Sequence, residues 1–208
     1  MKFLEALRAT KIVGIVRAIE HDELATLADA CKSAGLSFIE ITMNTPDAAH
    51  KIAALNRMAE RAFRVGAGTV LAVTEYRQAI DAGAEFIVSP VLVPEVAAVA
   101  VSENIPFLPG ALSPQEVYDA HAAGAALVKV FPMQFFGPAY IRELRGPFGE
   151  IPLLACGGIR PTNVREYLQS GADAVAIGGG TLKREWLAGN NVAALSAALR
   201  ELIAATRA

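Results

Sequence analysis

Four segments of this chain share one form: a small residue, a glycine, then a short apolar run. They are Ala34-Gly35-Leu36-Ser37-Phe38-Ile39-Glu40-Ile41, Ala82-Gly83-Ala84-Glu85-Phe86-Ile87-Val88, Ala123-Gly124-Ala125-Ala126-Leu127-Val128-Lys129-Val130 and Ser170-Gly171-Ala172-Asp173-Ala174-Val175-Ala176-Ile177. A glycine in the left-handed conformation ends a helix, and the β-branched run after it suits a strand buried on both faces. The copies recur about every 40 to 50 residues, too long for one βα unit and right for two. Four further apolar runs fall between them, Ile12 to Arg17, Phe63 to Gly68, Ile105 to Pro109 and Ile151 to Ala155, which brings the expected strands to eight. Helix starts are read at Thr45-Pro46, Ser113-Pro114 and Arg160-Pro161-Thr162, where proline at an early helical position is tolerated. Strict alternation predicts a parallel sheet, and eight repeats favour closure into a (β/α)8 TIM barrel of the α/β class over an open doubly wound sheet. The last helix, Asn191 to Ala205, is expected across the barrel's outer wall. No linker-like or low-complexity stretch divides residues 1–208, so one domain is expected.

Composition narrows what such a barrel can serve. The chain is 53% hydrophobic and 19% charged, which requires an extensive core. A formal net charge of −2, with no basic stripe, gives no reason to expect a nucleic acid or an acidic membrane as partner. Glu5, Arg8 and Lys11 interrupt any apolar stretch between Met1 and Ala18, and no later run is long enough to cross a bilayer, so the cytoplasm is the expected location. Cys31 and Cys156 are far apart and carry no spacing of a disulfide framework or zinc site. No His/Asp/Glu cluster has ligand spacing, so no metal is expected, and His21, His50 and His121 read as surface residues on helices.

In a barrel of this kind the catalytic groups stand at the C-terminal ends of strands. Two strands carry a long-chain ion inside an apolar run: Glu40 between Ile39 and Ile41, and Lys129 between Val128 and Val130. Burial disfavours the ammonium form of a lysine, which supplies a neutral amine nucleophile, and a nearby carboxylate can carry protons. A structural ion pair, or side chains that snorkel outward between helices, is the other reading of the same two residues. Phe131-Pro132 follows Lys129 and ends its strand, leaving the lysine toward the barrel mouth. Gly157-Gly158 and Gly178-Gly179-Gly180 close the seventh and eighth expected strands, where this fold commonly binds phosphate; two tight turns are the plainer alternative.

At these residues the chain resembles the 2-keto-3-deoxy-6-phosphogluconate (KDPG) and 4-hydroxy-2-oxoglutarate (KHG) aldolases. The resemblance runs nearly end to end through Ile15-Val16-Arg17, Ile39-Glu40-Ile41-Thr42, Gly66-Ala67-Gly68-Thr69-Val70, Ser89-Pro90, Leu108-Pro109-Gly110, Lys129-Val130-Phe131-Pro132, Gly157-Gly158-Ile159 and Ile177-Gly178-Gly179. It implies a class I aldolase with Lys129 as the Schiff-base lysine and Glu40 as general acid/base. It further implies substrate contacts at Arg17, Thr69, Pro90 and Phe131, a phosphate site at Gly157, Gly158, Gly178 and Gly179, no cofactor, and a homotrimer. The implied reaction releases pyruvate from a keto-sugar acid, with glyceraldehyde 3-phosphate or glyoxylate as the aldehyde.

Departures from the family bear on the substrate. Some members carry Arg, Thr and Ser where this chain has Asn44, Cys156 and Gly180, so three side-chain donors are absent and Arg17 and backbone N–H groups carry more of the binding. The stretches Glu40 to Pro46 and Phe136 to Ile141 also resemble the related 6-phosphogalactonate aldolases, whose substrate is epimeric at C4. Two readings of other kinds remain: a phosphate-binding barrel, such as an isomerase or thiamin-phosphate-type synthase, in which Lys129 only stabilises charge, and a non-catalytic sugar-acid sensor.

Overall fold

The computed structural model describes residues 2–207. Its strands are β1 (Ile12–Val16), β2 (Phe38–Thr42), β3 (Arg64–Gly68), β4 (Ile87–Val88), β5 (Phe107–Leu108), β6 (Gly110–Ala111), β7 (Val128–Val130), β8 (Leu153–Cys156) and β9 (Ala174–Ile177). They form one sheet in the order β5-β4-β3-β2-β1-β9-β8-β7-β6, every pair parallel. β5 and β6 are two halves of the fifth barrel strand, so the expected eight staves are present as nine strands. Pro109 is the break: it has no N–H to donate to the ladder. Its carbonyl still accepts the Lys129 N–H at 2.8 Å, and the stave runs on to Ala111 rather than ending at Pro109.

Local chemistry accounts for the helix starts. At Ser113 the hydroxyl accepts the Glu116 N–H while the Glu116 carboxylate accepts the Ser113 N–H at 2.7 Å, a reciprocal cap, and the helix begins at Pro114. The other two expected starts come later than the sequence pattern places them. Thr45-Pro46 forms a turn whose Pro46 carbonyl is taken by Lys51 Nζ at 2.8 Å, and the helix begins at Ala48. Arg160 to Asn163 is likewise a turn, closed by Arg160 N–H on the Asn163 side chain, and its helix begins at Val164. The last helix spans Val192–Arg207 and packs on Leu24–Ala34 outside the barrel. His21, His50 and His121 are exposed, and no described helix is long and apolar enough to cross a membrane.

Two apolar layers hold the barrel. One lies between sheet and helices; the other fills the interior with Val13, Phe38, Phe86, Leu108, Leu127 and Leu154 among others. Strand alternation then places Glu40 and Thr42 on the inward face with Phe38, and Lys129 inward with Leu127. The N-terminal end is plugged by helix α1 (Phe3–Thr10): Phe3 lies 5.4 Å from Phe38 and 5.5 Å from Phe86, ring centre to ring centre, with Leu7 buried beside them. Phe86 reaches the plug because Gly66 leaves room; a Cβ there would stand 2.5 Å from its ring. Phe86→Ala is expected to lower unfolding free energy by about 3–5 kcal/mol in urea denaturation, and a loss below about 1 kcal/mol would mean that the plug collapses into the space.

Candidate active site

Lys129 and Glu40 are both buried, at 7% and 1% exposure, on inward faces of β7 and β2. Among the described residues no ion pair within 4.0 Å joins them, and neither snorkels outward between helices. Glu40 Oε1 is buried with no hydrogen-bond partner among the described residues, an arrangement that is costly and rare in folded proteins. The two groups nonetheless feel one another. Burial pushes the Glu40 carboxyl above its ordinary value, while the charges of Lys129 and then Arg17 pull it back, and burial prevails. Lys129 Nζ also lies 5.7 Å from the centre of the Phe131 ring, at the edge of cation–π range.

Arg17 stands just past the end of β1 and is exposed, yet its charge reaches Glu40. The turn after it is held at the next residue. Ala18 has a left-handed backbone (φ 54), its N–H donates to Thr45 Oγ1 at 3.1 Å, and its carbonyl accepts from Arg184, which is itself bound to the buried Glu23 carboxylate at 2.6 Å. Thr45 in turn shares a hydrogen bond with Thr42 at 3.2 Å. Thr69, half-buried beyond the end of β3, also holds a left-handed backbone (φ 55), a strained state for a β-branched residue of a kind that concentrates at functional sites.

The two glycine turns lie side by side, because β8 pairs with β9 with Cys156 opposite Ala176. Gly157 (φ 108) and Gly158 (φ 74) need glycine for conformation and for the approach of the 132–134 segment, whose Met133 nitrogen would stand 3.1 Å from a Cβ at Gly157. Nothing lies within 4 Å of a Cβ position at Gly179 or Gly180, which are exposed. Cys156 is buried below these turns; burial raises its thiol pKa, and Lys129, Glu40 and Arg17 all act on it, so the four side chains converge at the top of the barrel.

Two cavities flank that centre. One of about 400 Å³ is lined by Pro90, Gly110, Leu112, Glu116 and Phe131 with their neighbours. The other, of about 230 Å³, is lined by Ile15, Val16, Arg17, Gly179, Leu182, Arg184 and Leu187. Of the expected substrate residues, Pro90 and Phe131 line the first and Arg17 the second, while Thr69 lines neither. Neither cavity is lined by Lys129 or Glu40, which lie beneath the mouth, so the buried charges locate the chemistry and these cavities do not. Sequence reasoning gave no site role to Ser89, whose buried Oγ has no partner among the described residues, or to Thr45 and Arg184, which hold the turn after Arg17. Thr45 could have been found from its place just beyond a strand end; Arg184 gives no sequence signal, being 166 residues from Ala18.

Comparison with known proteins identifies the family. The KDPG and KHG aldolase profile matches residues 4–198. The chain is 33% identical to a 2-dehydro-3-deoxy-phosphogluconate aldolase of Haemophilus influenzae over 97% of its own length and 95% of the relative's. It is 31% identical to a 2-dehydro-3-deoxy-6-phosphogalactonate aldolase of Escherichia coli, covering 80% of this chain and 82% of that one. A solved 2-keto-3-deoxy-6-phospho-gluconate aldolase from Zymomonas mobilis superposes with a TM-score of 0.86 at 26% identity, over 98% of this chain and 97% of the other. With the barrel, the inward lysine and the inward glutamate already in place, the profile match over nearly the whole chain shows that this protein belongs to the KDPG and KHG aldolase family.

Proposed function

We propose that this lyase cleaves a phosphorylated 2-keto-3-deoxy sugar acid through a Schiff base on Lys129. The observation that carries the reading is the unpartnered, buried Glu40 carboxyl set within electrostatic reach of the buried Lys129 without an ion pair between them. An ion pair would tie up both groups; this arrangement leaves both able to react.

The amine of Lys129 attacks the C2 ketone and water leaves, giving a cationic iminium that draws electrons from the C3–C4 bond. Glu40 takes the C4 hydroxyl proton, the bond breaks, an aldehyde departs, and an enamine remains on the lysine. The proton held by Glu40 is returned to C3, and water then hydrolyses the iminium to release pyruvate and restore the amine. A carboxyl whose proton affinity is raised by burial suits both the taking and the returning of that proton. Arg17 and Thr69 take the anionic and polar groups at the pyruvyl end, Pro90 and Phe131 flank the chain of the substrate, and Gly157, Gly158, Gly178 and Gly179 offer backbone N–H groups to a phosphate.

The first substrate on this reading is 2-keto-3-deoxy-6-phosphogluconate, with 4-hydroxy-2-oxoglutarate as a second. The 6-phosphogalactonate epimer is favoured by a specific feature, the Glu40 to Pro46 stretch with Asn44 in it, which resembles the galactonate enzymes. Pyruvate release from all three, followed by coupled lactate dehydrogenase, ranks them by kcat/KM. A phosphorylated substrate is expected to exceed about 10⁴ M⁻¹s⁻¹, within the ordinary enzyme range. Pyruvate from none of the three would sink the proposal.

The exposed Phe131, Phe135 and Phe136 supply an apolar rim beside the mouth suited to covering by further copies, in line with a homotrimer. Two free thiols, Cys31 and Cys156, fit a reducing cytoplasm.

A further inference from the structure

Beyond Arg64, which lies over the Phe38 ring, the inward face of β3 is bare: its next two inward residues are Gly66 and Gly68. Neither lies in the left-handed region, so backbone conformation does not require glycine at either place. Space does. The room beside Gly66 is taken by the Phe86 ring, and that beside Gly68 by Glu40. A Cβ on Gly68 would stand 2.3 Å from Glu40 Oε1, 2.7 Å from its carboxyl carbon and 3.3 Å from its Cγ. Glu40 is in register with Gly66, and Thr42 with Gly68, so the Glu40 side chain climbs one inward step toward the mouth and lays its carboxyl on the Gly68 backbone.

We propose that Gly68 is a positioning residue for the proton-carrying carboxyl: its missing side chain is the seat that sets where Glu40 stands relative to Lys129. This rests on the reading of Glu40 as acid/base. The other service of Gly68, its carbonyl accepting the Met43 N–H at 2.7 Å, is open to any residue and does not call for glycine. The three atoms nearest to an added methyl all belong to the flexible Glu40 side chain, so the carboxyl must give way by roughly 1 Å while the barrel stays intact, and displacements of that size cost on the order of 100-fold in rate.

The test is Gly68→Ala in the full-length protein, alone and with Glu40→Asp, alongside each Glu40 variant by itself. For Gly68→Ala the expected result is a wild-type circular dichroism spectrum, kcat for cleavage lowered about 100-fold, KM changed less than about 3-fold, and imine trapping with pyruvate and borohydride nearly unchanged. Shortening the side chain withdraws the carboxyl from the added methyl, so Glu40→Asp should cost much less in the Gly68→Ala background than in wild type. If Gly68→Ala is insoluble but becomes soluble with Glu40→Asp, the contact itself is at fault and the seat is supported. Wild-type kcat in Gly68→Ala, losses that multiply, insolubility of both variants, or imine formation falling in step with cleavage would each overturn the proposal. Glu40→Gln separates the two layers: wild-type cleavage there removes the underlying reading, whereas lost cleavage there with unimpaired Gly68→Ala removes only the seat.

Discussion

Lys129→Ala is expected to lower cleavage turnover by roughly 10,000-fold or more, because among the described residues no other amine stands on the inward face of a strand to form the iminium that draws electrons from C3–C4. The fold should survive. Lys129 has no ion-pair partner within 4.0 Å among the described residues, so its removal leaves no buried counter-charge stranded at bonding distance and opens only a small space. Circular dichroism should therefore match wild type while pyruvate release from every substrate disappears. Loss of the lysine charge also removes the largest pull lowering the Glu40 carboxyl, so Glu40 should become still harder to ionise. A folded Lys129→Ala protein that keeps more than about 1% of wild-type turnover would transfer the chemistry to another residue or to a phosphate-barrel reaction without a Schiff base.

Glu40→Gln divides the reaction. The amide neither accepts the C4 proton nor returns one to C3, so cleavage should fall about 100-fold to 10,000-fold, the usual worth of general acid–base catalysis, while imine formation on Lys129 persists. The same substitution should change stability in a pH-dependent direction. Burial raises the Glu40 pKa in the folded state, so its contribution is fully present below the ordinary value of 4.5 and is lost as pH rises through the higher folded value. Glutamine carries no such dependence. The variant should therefore melt above wild type near neutral pH, and the gap should close as pH falls toward 4.5. A gap that instead widens toward acid would show that the folded carboxyl is held ionised, contrary to the burial described above.

Much of this was readable in the chain because the signals are local. Gly35, Gly83, Gly124 and Gly171 all take positive φ at helix ends and stand before strands, as their repeated context predicts. Lys129 and Glu40 stood out because an ion inside a β-branched run has few places to go. The fifth stave was less legible: Pro109 ends a strand by every local rule, and only parallel pairing on both sides carries the chain through to Ala111. The prolines at 46 and 161 marked turns rather than helix starts because side-chain contacts from Lys51 and Asn163 hold those turns. The turn after Arg17 depends on Thr45 and Arg184, and the Glu40 seat on which way one side chain leans. Such contacts are set by packing between distant segments, which no periodicity records.

The most direct test of the account is borohydride trapping with pyruvate, followed by intact mass and peptide mapping. One pyruvyl-sized adduct on the peptide that carries Lys129 is the predicted result. An adduct on another lysine, or none under conditions in which a control pyruvate aldolase labels fully, would contradict it.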